Sequence, residues 1–72
     1  MADNPATAHA RTLITLRNVI AQTERQATLL RQVIAMRTAE GHDCARLERL
    51  VGDTEKRLRH LRAEQKRLAA ER

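Results

Sequence analysis

The sequence predicts an all-α protein: two antiparallel helices joined by a tight turn into a coiled-coil-like hairpin. Three observations predict it. Glu40-Gly41-His42-Asp43 reads as a helix stop followed at once by a helix start. On both sides of that stretch, apolar residues recur at alternating three- and four-residue spacing. Folded about the bend, the two apolar stripes match rung for rung. Residues 1–72 then form one domain. Its first helix covers about 5–39, the turn 40–43 and the second helix about 44–70.

Residues 1–4 read as a polar tail, with Asn4 as helix cap. Pro5 follows at the first helical position, where its missing N–H costs nothing. Nothing from there to Ala39 breaks a helix, which makes a rod of roughly 50 Å. Leu13, Leu16, Ile20, Thr23, Ala27, Leu30, Ile34 and Arg37 occupy its successive a and d heptad positions. Gly41 can close the helix in the left-handed conformation without a Cβ penalty. Asp43 offers a carboxylate to the free amides of the next helix, where negative charge suits the dipole. That helix places Cys44, Leu47, Val51, Thr54, Leu58, Leu61, Gln65 and Leu68 at a and d. Gly52 interrupts it at an outward b position, at a cost of about 1 kcal/mol relative to Ala.

The register follows from these positions. In an antiparallel pair each a residue faces a d residue, and paired residue numbers add to a constant. They do so throughout, from Leu13/Leu68 and Leu16/Gln65 at the open end to Ile34/Leu47 and Arg37/Cys44 at the bend. A four-residue turn is the right length to join the two rods. The Ala27/Thr54 layer is small, so either the helices approach closely there or a further chain fills the gap. Gln65 reads as a solvated amide at the open rim.

Composition bounds the rest. With 72 residues and no aromatics, Leu, Ile, Val, Ala and Met must supply the whole core. A lone Cys44 excludes an internal disulfide and fits a reducing cytoplasm. The polar start shows no secretory leader, and no apolar run approaches the ~20 residues of a bilayer span. The expected location is therefore cytoplasmic, without membrane association. Net charge is +5, and apart from Lys56 and Lys66 every basic residue is Arg. That balance permits anionic partners without choosing among them.

Two helices bury one seam, which rarely offsets the entropy of ordering so many residues. A second apolar strip is present: Val19 and Val33 at g, Leu29 and Met36 at c, and Leu50 at g of the second helix. Leu29, Val33, Met36 and Leu50 are expected to form one patch near the bend. Burying all four would contribute roughly 6–12 kcal/mol before association costs. Homodimerisation into a four-helix bundle is the economical solution, and a different protein partner would use the same surface. The alternative is a monomer in which long Arg stems cover these residues.

Candidate chemistry is sparse. His9, His42, His60 and Cys44 are the only soft ligands, and nothing completes a zinc set around His42-x-Cys44. No metal or other cofactor is expected. Cys44 reads as a buried small hydrophobe rather than a redox centre. Without a phosphate loop, an activated nucleophile or a concave cavity, no catalytic residue is assigned and an enzyme is not expected. Lys56, Arg57, Arg59, Arg62, Lys66 and Arg67 lie outside the seam and could meet an acidic partner or phosphate. Against nucleic acid, they spread around several faces, and no aromatic is present to stack on bases.

Gly41-His42-Asp43, then Leu47, Leu50, Leu58 and Leu61, then Arg67, Leu68 and Glu71 resemble a loose group of short bacterial helical-hairpin proteins. The likeness covers mainly the second half, has Cys44 where a small residue is usual, and implies no activity. In architecture alone the hairpin is similar to the plasmid copy-number RNA-binding bundle and to small co-chaperones of type III secretion needle subunits. The expected function is a non-enzymatic protein–protein interaction or adaptor module acting through helix faces, as a homodimer. A nucleic-acid-binding bundle and a secretion co-chaperone-like hairpin are the alternatives.

Overall fold

Helix α1 runs Pro5–Ala39 and helix α2 runs Ala45–Ala70. The computed structural model describes residues 5–71, so the polar tail and the Asn4 cap expected at the start lie outside the described residues. The two helices pack side by side and antiparallel, with no strand among the described residues. The molecule measures 58 × 20 × 13 Å, a single layer two helices wide.

The bend is built by backbone hydrogen bonds that a glycine makes available. The His42 N–H donates to the Arg37 carbonyl at 2.9 Å and the Gly41 N–H to the Thr38 carbonyl at 3.0 Å. This pairing is the Schellman motif, which satisfies carbonyls that a helix end leaves without partners. Gly41 takes a φ of 85° to make it. The start of α2 differs by one residue from the expectation. Cys44 occupies the cap position and makes no side-chain cap bond. Asp43, one residue further out, accepts the Ala45 N–H on Oδ1 at 3.0 Å. An Asx turn of this kind still satisfies a free amide and keeps negative charge at the positive end of the helix.

The seam follows the heptad. Ile20, Thr23, Ala27, Cys44, Val51 and Leu58 are buried, and Ala27 is the most enclosed residue, with 1 % exposure. Leu16 and Leu61 close over the Ile20–Ala27–Leu58 centre. Leu13, Leu30, Ile34, Leu47, Thr54, Gln65 and Leu68 are half-buried. The two seam threonines satisfy their hydroxyls within their own helices, Thr23 to the Val19 carbonyl at 2.7 Å and Thr54 to the Leu50 carbonyl at 2.8 Å. Small side chains at Ala27 and Thr54 therefore let the two helices close on each other at mid-length.

Arg37 departs from the expected layer: it is exposed and does not cap the seam against Cys44. The Cys44 Sγ lies 3.7 Å from the Thr38 Oγ1, 3.9 Å from the Ile34 carbonyl and 3.8 Å from the His42 carbonyl. Ile34 and Thr38 stand one turn apart on α1 and hold the thiol between them. A guanidinium in that place would lose its water without gaining a carboxylate.

Candidate protein–protein interface

The seam has two flanks that differ in how they are closed. On one, the e positions of both helices carry matched charges. The Arg31 guanidinium donates to Glu55 at 2.7 Å, and Arg62 lies 3.5 Å from Glu24. The two pairs are one heptad apart on each helix, so they repeat the register of the core independently of its apolar residues. The cleft between them is lined by Glu24, Arg31, Glu55, Arg59 and Arg62 over Ala27 and Leu58. This flank is closed by groups that prefer water.

The g flank is open, apolar along α1 and at Leu50 and charged along the rest of α2. Leu29, Met36 and Leu50 are 60, 64 and 48 % exposed, and Val33 is 39 % exposed. Leu29, Val33 and Leu50 line one shallow groove with Gln26, Leu30 and Thr54. Met36 stands one turn nearer the bend and does not line it. Val19 is half-buried and lies in a second groove toward the open end, with Leu16, Leu61 and Leu68. The five expected interface residues therefore share one flank but divide between two grooves and a flanking methionine. Heptad geometry explains the sharing, since g and c point to the same side of an antiparallel pair.

Ile14 was not among the expected interface residues, yet it is 59 % exposed. It lines an open-end groove on the opposite flank with Leu13, Arg17, Arg62 and Lys66. The signal was available in the sequence: Leu13 and Ile14 are adjacent, and neighbours on a helix cannot both face one seam.

Lys56, Arg57, Arg59, Arg62, Lys66 and Arg67 are all exposed on α2. Glu24 holds Arg62, and Arg67 binds Glu64 with two nitrogens and Glu71 at 3.3 Å. The Glu64 carboxylate raises the Arg67 pKa, first by hydrogen bonding and then by charge. The basic residues do not converge on one face. Among the described residues no three His, Cys, Asp or Glu side chains gather as a metal site. His42 is exposed on the turn, 3.5 Å from Glu40. No helix of the described residues is long and apolar enough to cross a membrane.

The fold thus defines a two-helix hairpin with one flank closed by ion pairs across the seam and one that leaves an apolar patch open. No protein-family model matches the chain, and no curated protein or solved structure matches it either.

Proposed function

We propose that this protein is a non-enzymatic association module whose working surface is the open g flank, and that its partner there is a second copy of itself. One observation supports the reading above the others. Four large apolar side chains are about half exposed on the g flank, while the e flank is laced with ion pairs. A monomer would leave that patch in water, and patches of this kind mark interfaces. Burying what remains exposed of the four is worth roughly 3–6 kcal/mol per copy before association costs. A copy of the same chain brings an identical patch, so a closed twofold pairing needs no second gene product.

Sedimentation of the wild-type chain and a Leu29→Glu/Val33→Glu variant tests this. Dimeric wild type and monomeric variant are expected. Two monomers of equal thermal stability would overturn the reading.

A second reading has one observation in its favour. Lys56, Arg57, Arg59 and Lys66 are exposed within three turns of α2, enough positive charge to follow a phosphate backbone. Arg62 and Arg67 are engaged by carboxylates, which weakens that stripe.

A further inference from the structure

We infer that the two copies pair head to tail, with α1 on α1 and α2 on α2, about a twofold axis passing beside His60. This rests on the association reading above and adds the geometry of the pairing.

The argument starts from the c and g positions that face outward on the g flank. On α1 these run Thr12, Thr15, Val19, Gln22, Gln26, Leu29, Val33 and Met36, and none is charged. On α2 they run Arg46, Leu50, Asp53, Arg57, His60, Glu64 and Arg67, and Glu71 follows at the next g position. From Asp53 to Arg67 the charges of this second strip are antisymmetric about His60. Toward the bend come Arg57 and then Asp53; toward the open end come Glu64 and then Arg67. A strip with that order is complementary to itself when turned end for end. Arg57 meets Glu64 of the second copy, Asp53 meets Arg67 of the second copy, and the twofold repeats both contacts.

Glu64 already accepts Arg67 on its own helix. A carboxylate has about four acceptor sites, so it can take a second guanidinium. The same rotation lays the uncharged α1 strip on its own kind. Leu29 and Val33 of one copy then come over the open-end groove of the other, where Thr12, Thr15, Leu16 and Val19 lie between Arg11 and Glu64.

The two other twofold arrangements fit less well. Pairing bend to bend sets α1 over α2: it lays Val33 against Leu50 of the second copy, but it covers Asp53, Arg57 and Glu64 with an α1 strip that carries no opposite charge. Pairing only the bend halves does stack Val33 and Leu50 on themselves, but it covers little area. A face 58 Å long and 20 Å wide offers about 1,100 Å² per copy when fully overlapped, against the ~800 Å² a stable interface uses. A bend-only overlap centred on Val33, about 12 Å from Gly41, reaches about two-fifths of that face.

Two measurements test the geometry. In a Cys44→Ala background, His60→Cys is expected to form a disulfide-linked dimer readily under mild oxidation, while Leu50→Cys is not. In the native background, Arg57→Glu sets like charges together at two symmetry-related places and is expected to weaken dimerisation about tenfold or more. The exchange Arg57→Glu/Glu64→Arg is expected to restore it. Cross-linking at Leu50 in place of His60, or no recovery in the exchanged variant, overturns the head-to-tail pairing while the wild-type dimer still stands. A wild-type chain that stays monomeric overturns the association reading beneath it.

Discussion

Gly41 and Gly52 show how differently one residue type acts at two places. Gly41 sits at a φ of 85°, where an L side chain is strained however much space surrounds it. Gly52 lies in α2 with nothing within 4 Å of the Cβ it lacks. Gly41→Ala is therefore expected to lower stability by about 1–2 kcal/mol, and Gly52→Ala to raise it by about 1 kcal/mol. Urea unfolding of both variants checks the opposite signs. The Gly41 conformation was readable in the sequence because a helix stop needs a left-handed residue and few side chains allow one. Arg37 and Asp43 were harder. A heptad extended to the last turn put Arg37 in the seam, but the Schellman turn ends the coiled-coil geometry first. Asp43 reaches an amide from one residue outside the cap, since an Asx turn and an N-cap differ by a single step that composition does not reveal.

At the scale of the helices, the seam was legible almost to its ends. Sixteen residues from Leu13 to Leu68 recur at a and d, Arg37 among them, and a register built on them is confirmed by ion pairs that played no part in building it. Arg31–Glu55 and Glu24–Arg62 are mostly exposed, so they select the register more than they strengthen it. Close approach at Ala27 does more. Ala27→Leu would force a larger side chain into a site with 1 % exposure and is expected to cost about 1–3 kcal/mol. A fall in the thermal midpoint with retained helical circular dichroism is the expected readout. Which flank keeps an apolar patch was also legible, because c and g positions can be assigned once a and d are known. How far each side chain stands out was not. Val19 sinks into a groove while Leu29 and Met36 do not, and Ile14 emerges on the far side beside a seam leucine. Those differences depend on how closely the helices approach at each layer.

For the molecule as a whole, one layer of two helices means every seam contact has solvent on both flanks. The proposed dimer covers one of them. The basic surface of α2 bears on the remaining question of an anionic partner. If phosphate were its target, mobility shifts with duplex DNA or structured RNA would weaken steeply with salt, and Arg59→Ala/Arg62→Ala would weaken them further. The present reading expects no shift at physiological salt. Retention of a complex there, lost in that variant, would favour the nucleic-acid reading.

The two rods are tied covalently at the bend alone, and each rung depends chiefly on its neighbours. Such a ladder opens from its free end. Amide exchange is expected to quicken progressively from the tight Ala27 layer toward Leu13 and Leu68, with the turn-proximal amides outlasting those at the far tip. A second copy laid end for end would bring its own clamped end over that loose one, so each subunit would brace the other where it is weakest.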